Sequence, residues 1–244
     1  MKKVLITGAN KGIGYETAKQ LLQSGYYVFL GSRKLDNGLA AIEMLKAEGL
    51  NNVEAIQLDV TDDESVKLAR IEIGKKTDVI DILINNAGIS GSEQQNALDY
   101  SIDSIKNIFE TNYYGPIRVT HAFIDVLRKS NEPRIVNVSS GLGSQTVASD
   151  TTHPFYNYKA TGYQSSKTAL NMYTINLAFD LQQTNFKVNA VCPGFTSTDI
   201  NNFQGPGKVE DAAKRVIKYA TIDKDGPSGQ FFCEDNFPNT VCPW

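Results

Sequence analysis

The chain has 244 residues, mixed charges that sum to -3, and no linker-like, repetitive or single-sign tract. It therefore suits one core-bearing α/β domain over residues 1–244 and lacks the basic stripe that nucleic acid requires. Three cysteines without a CxxC pair and only two histidines argue against a disulfide framework, a zinc centre or a histidine-rich metal site, and favour a reducing, cytoplasmic setting.

The first ten residues, MKKVLITGAN, contain only Val4, Leu5 and Ile6 before a polar turn, too short an apolar core for a signal peptide. No apolar run approaches the roughly 18 residues of a membrane span, so no membrane partner is expected. KVLIT (3–7) reads as the first strand, and TGANKGIG (7–14) follows it directly before a helical pattern. Gly8, Gly12 and Gly14 let such a loop turn tightly and approach a pyrophosphate, whose charge the helix N-terminus attracts. A plain strand-to-helix connection is the alternative use of the same glycines.

YYVFLG (26–31) is the second strand, and its end decides which dinucleotide fits. Ser32 stands where an acid would bond the 2′-hydroxyl of NAD, and Arg33 offers a fork suited to the 2′-phosphate of NADP, with Lys11 as a second charge. Arg33 and Lys34 also suit plain solvated charge, and Asp36 follows too late to be the acid. VEAIQLD (53–59) is the third strand, and Thr61–Glu64 (TDDE) reads as a capping box for the next helix. IDILINN (80–86) is the fourth.

Asn112 sits in FETNYYGPIRV, a helical pattern that contains Pro116. A proline there has no N–H to return to the Asn112 carbonyl, which is left open for another partner, unless the kink is purely structural. RIVNVSS (134–140), KVNAVC (187–192) and GQFF (229–232) complete seven strands. Short apolar runs alternating with helical stretches imply a doubly wound, mainly parallel sheet with helices on both faces and ligands beyond the strand carboxyl ends. In TGYQSSKTAL (161–170), Tyr163 and Lys167 stand one helical turn apart and face the same way. The bland alternative is a surface pair.

TGANKGIG, LDV (58–60), NNAG (85–88), Asn112, IVNVSS, YxxxK (163–167) and PG (193–194) occur in the order found in short-chain dehydrogenases/reductases, which the whole chain resembles. NKGIG, KAEGL (46–50) and DGPSGQFF (225–232) are similar to the versions in NADPH-dependent carbonyl reductases. The resemblance implies a Rossmann fold and reduction of a ketone or aldehyde by hydride from NADP(H), with Asn112, Ser140, Tyr163 and Lys167 catalytic. Tyr163 would be the general acid, Lys167 would favour its phenolate and hold the nicotinamide ribose, and Ser140 would bond the substrate oxygen. The Asn112 backbone oxygen would hold a water that passes protons to Lys167.

The resemblance assigns Gly8, Asn10, Lys11, Gly12, Ile13, Gly14 and Arg33 to the cofactor phosphates, and Asp59 and Val60 to adenine. Asn86, Ala87 and Gly88 would lie beneath the ribose, Pro193 and Gly194 beside the nicotinamide, and Thr196 and Thr198 at its carboxamide. Two other readings are a dehydrogenase of a specific alcohol, sugar or acyl thioester, and a catalytically idle NADP-binding redox sensor. The segment between Ser140 and Tyr163, with His153, Phe155, Tyr156 and Tyr158, is expected to wall an apolar pocket opposite a mobile lid at 195–208, or else to be a plain surface loop. The same insert is expected to cover the second catalytic helix, whose outer side reads Asn171, Thr174, Phe179, Gln182 and Gln183, and so to favour a monomer over a homo-oligomer.

Overall fold

Seven short strands, β1 (Lys3–Ile6), β2 (Tyr27–Ser32), β3 (Val53–Gln57), β4 (Ile82–Asn85), β5 (Arg134–Val138), β6 (Lys187–Val191) and β7 (Gln230–Phe232), form one sheet of order β3-β2-β1-β4-β5-β6-β7. Every neighbouring pair is parallel. The computed structural model describes residues 1–91, 94–234, 237 and 240–244. Strands are apolar on both faces because helices cover both. Alternation along β1 sends Val4 and Ile6 into the core under α1 (Gly12–Gln23), α2 (Leu35–Ala47) and α8 (Val209–Ala220), whereas Leu5 enters the core under the opposite helices. Those are α3 (Asp63–Gly74), α5 (Gly115–Leu127) and α7 (Thr161–Asp180), which contribute Val66, Phe123 and Ala178.

Two local signals resolve differently from the sequence reading. The cap of α3 is Asp62, not Thr61: its carboxylate accepts from the Glu64 N–H at 3.0 Å, while Thr61 is drawn back to Asp59 Oδ1 at 2.7 Å. Between α4 (Ile102–Phe109) and α5 the chain widens into one π-helical turn, Glu110–Tyr114, in which the Gly115 N–H reaches back to the Glu110 carbonyl. Pro116 therefore sits in the first turn of a new helix, where its missing N–H costs least, and Asn112 falls inside the wide turn. The remaining short helix, α6 (Gln145–Ser149), lies in the insert before α7. Among the described residues no helix is long and apolar enough to cross a membrane.

All strands run the same way, so the segments after β1, β2, β4, β5 and β6 emerge along one edge. The order reverses between β1 and β4, which opens a crevice at that edge.

Candidate active site

The loop after β1 fits an anion bound close to the backbone. Gly8 has φ +61°, and a Cβ on it would come within 2.9 Å of the Ala87 Cα. A Cβ on Gly14 would lie 2.5 Å from Asn86 Nδ2 and 2.8 Å from the Gly8 carbonyl, so the start of α1 packs directly on the end of β4. Asn86 fixes that contact by donating from Nδ2 to the Thr7 and Gly8 carbonyls at 2.9 and 3.1 Å, and the Thr7 hydroxyl accepts the Asn86 and Ala87 N–H groups, both at 3.0 Å. Asn10 and Ile13 are half-buried, with Ile13 resting on the core. Thr198 is buried over Gly12, its Cγ2 3.7 Å from where a Gly12 Cβ would stand, and its hydroxyl has no protein partner among the described residues. A glycine cradle at a helix N-terminus with a spare buried hydroxyl suits a pyrophosphate. Thr198 thus packs against the glycine loop. Thr196 is also buried, but its hydroxyl turns back to the Gly194 carbonyl at 3.3 Å.

At the far end of the crevice Ser32 is buried with its hydroxyl on the Lys34 carbonyl at 2.9 Å, and Arg33 is exposed. The exposed Lys11 ammonium, on the glycine loop, pairs with the carboxylate of Asp199. Asp59 accepts from the Thr61 N–H at 3.0 Å. The Val60 carbonyl is held by Arg118 Nη1 at 2.6 Å, while Arg118 also pairs with Asp63 and Glu110. Sequence reasoning missed Arg118, whose position in an amphipathic helix carries no sign of its partners Val60, Asp63 and Glu110.

At the end of β5, Ser139 and Ser140 point to opposite sides, as alternation requires. Ser139 is buried and donates to Asn171 Oδ1 on α7 at 2.6 Å. Ser140 turns into the crevice, where its hydroxyl bonds the Tyr163 phenol. Lys167, one turn further along α7, donates to the Val138 carbonyl at 2.9 Å and lies 5.7 Å from the Tyr163 ring centroid. Burial pushes the phenol up to about 12, against the pull of the Ser140 bond, and Tyr158 and Cys192 nearby push it the same way. Burial also brings the Lys167 ammonium down to about 8. In this structure desolvation therefore outweighs the expected help from Lys167, and the phenol is held as an acid rather than a phenolate.

Asn112 is buried beside the pair. Its Nδ2 donates to the Ile89 carbonyl at 2.8 Å and to Ser166 Oγ at 3.0 Å, and its Oδ1 accepts the Ile89 N–H at 2.9 Å. A Cβ on Gly88 would stand 3.3 Å from Asn112 Oδ1 and 3.6 Å from Lys167 Nζ, so Gly88 keeps this floor open. Pro193 is buried, its carbonyl held by Arg215 at 2.7 Å, and Gly194 turns the chain at φ +91°. Cys192, unremarked in the sequence, lies under the site, where burial and the thiol of Cys233 keep it protonated.

The insert and the segment after β6 meet through aromatic rings. Phe155 of the insert and Phe195 of the lid meet edge to face, centroids 6.3 Å apart, and His153 flanks Phe155 at 5.7 Å. Gln145 and Ala148 of α6 line a groove together with Gln164, Thr168 and Met172 of α7. Asn171 and Thr174 are buried against β5 by their bonds to Ser139 and Asn137, so the outer face begins instead with Met172 and Phe179, which are exposed.

A family model described as short chain dehydrogenase matches residues 2–208. The chain belongs to this family. Short-chain dehydrogenases are oxidoreductases, and the relatives carry reductase and dehydrogenase names. The chain is 34% identical to a (+)-neomenthol dehydrogenase of Capsicum annuum over 93% of this chain and 94% of that enzyme. Salutaridine reductase from Papaver somniferum superposes with a TM-score of 0.82 at 30% identity, covering 95% of this chain and 99% of that one. An NADPH-bound carbonyl reductase from chicken fatty liver superposes with a TM-score of 0.84 at 27% identity, covering 100% and 99% of the two chains.

Proposed function

We propose that this short-chain dehydrogenase reduces ketones or aldehydes to alcohols with NADPH, and that its 244 residues act as one domain. The observation that carries the reading is the half-buried Tyr163 phenol, bonded to Ser140 and one turn from buried Lys167, at the crevice edge of the sheet. A carbonyl oxygen accepting from both Ser140 and Tyr163 is held by two donors, and the phenol, protonated at neutral pH, delivers the proton that completes the alcohol. The nicotinamide ring supplies hydride when bound. Lys167 replaces positive charge near the phenol as its proton leaves, and buried Asn112 braces the floor under Gly88 and Lys167.

The names of the relatives, neomenthol dehydrogenase, salutaridine reductase and carbonyl reductase, support a carbonyl substrate and NADPH. The glycine cradle, Arg33 and Lys11 are the residues we assign to its phosphates. The aromatic roof supports apolar substrates of some bulk. The buried cysteines stand as thiols outside any disulfide, which agrees with a reducing cytoplasm. The test is consumption of NADPH and of NADH with a panel of cyclic, aromatic and aliphatic carbonyl compounds. Turnover of bulky apolar ketones with NADPH is expected. Cofactor binding without turnover of any member would instead favour a redox sensor, and activity confined to sugars or acyl thioesters would favour the dehydrogenase reading.

A further inference from the structure

Helix α7 carries Tyr163 and Lys167, but its N-cap residue is Ala160, whose methyl group cannot cap it. The cap comes from elsewhere. Gln95, buried in the segment after β4, accepts the Tyr163 N–H with its Oε1 at 2.9 Å, and its own carbonyl accepts the Thr161 N–H at 3.1 Å. Its Nε2 donates to the Ser90 carbonyl at 2.6 Å, and the Ser90 hydroxyl donates to the carbonyl of Ile200 in the lid at 2.7 Å. Ile89, next to Ser90, is the residue gripped by Asn112.

Two glycines make room for this arrangement. A Cβ on Gly91 would lie 3.0 Å from Gln95 Nε2, and one on Gly162 would lie 3.2 Å from Gln95 Oε1 and 2.8 Å from Ile108 Cδ1. Glycine inside a helix start costs stability relative to alanine, so Gly162 has a use here that a free-standing helix would not give it.

We propose that Gln95 is a positioning residue for Tyr163: it substitutes for the missing cap of α7, sets the phenol against Ser140, and links that helix through Ser90 to the lid. The inference rests on Tyr163 being the acid, and its consequences are kinetic. Gln95→Met keeps the volume and removes donor and acceptor. It is expected to lower kcat about tenfold while the KM and the fluorescence-measured Kd for NADPH stay within about twofold, because the phosphate cradle is untouched. In a Tyr163→Phe background the same change is expected to add less than about twofold, since a positioning residue has nothing left to position. Gly162→Ala, which crowds Gln95 from the helix side, is expected to show the same split and serves if Gln95→Met does not fold.

A wild-type kcat in Gln95→Met, a loss of cofactor affinity in proportion to kcat, or a full additional loss on top of Tyr163→Phe would each overturn the proposal. Failure of the functional reading looks different, because Tyr163→Phe would then itself turn over at close to the wild-type rate.

Discussion

Replacing Tyr163 by Phe removes one hydroxyl and leaves the ring packing intact, so the variant is expected to fold and bind NADPH while kcat falls by about 10²–10⁴. Stopped-flow turnover with a responsive ketone checks this, and retention of more than about a tenth of the rate would assign the proton to another group. The neighbouring serines separate structure from chemistry. Ser140→Ala is expected to cost turnover with little change in stability. Ser139→Ala leaves Asn171 Oδ1 without its buried donor, and is expected to cost about 1–3 kcal/mol in urea unfolding with kcat largely kept.

Lys167 gives a pH signature. Its folded pKa, about 8, lies below the ordinary 10.5, so the cost of its buried charge is fully present below pH 8 and is relieved as pH rises toward 10.5. Lys167→Met is therefore expected to make the cofactor-free protein more stable at pH 7, by about 1–3 kcal/mol, with the advantage shrinking above pH 8, while turnover is lost. A variant less stable than wild type at pH 7 would mean that the bond to the Val138 carbonyl outweighs the desolvation.

Among the connecting elements, the proposed function divides the cofactor between the loops at the two ends of the crevice. Arg33→Ala is expected to weaken NADPH by about 2–3 kcal/mol and NADH hardly at all, measured by fluorescence titration with each. Equal losses would mean that Arg33 acts by packing. The strands, the glycine loop and the helix that carries Tyr163 and Lys167 were legible in the sequence because each rests on local pattern: apolar runs, glycine spacing and the Tyr163–Lys167 turn. What escaped was non-local. Lys11 has the spacing of a phosphate ligand, but its pairing with Asp199 depends on how the lid folds back. Gln95 has no motif at all, and its role exists only because Ala160 leaves a helix uncapped. Asn171 and Thr174 read as an outer face because polar residues ordinarily lie outside, whereas here the sheet edge presents polar partners to them.

For the molecule as a whole, the outer side of α7 decides assembly. Met172 and Phe179 are exposed, yet Ser165, Asn176 and Asp180 stand exposed among them, so no continuous apolar stripe is available to an obligate partner. Light scattering at micromolar concentration is expected to give the mass of one chain, 26.8 kDa, and a fourfold mass would refute this. Deleting residues 145–159 is then expected to open the crevice without creating an oligomer, because the outer side of α7 beyond Met172 is already exposed at Asn176, Phe179 and Asp180.

The contact of Phe155 with Phe195 has an evolutionary side. Tyr163, Lys167 and the glycine cradle adjoin strands and helices locked into two cores, whereas Phe155 and Phe195 are two rings on separate loops whose centroids lie 6.3 Å apart. Under the proposed function, substituting either ring is expected to reshape the substrate space while leaving Ser140, Tyr163 and Lys167 in place. Substrate preference can therefore drift through mutations at the roof, at little cost in folding, with hydride and proton transfer inherited unchanged.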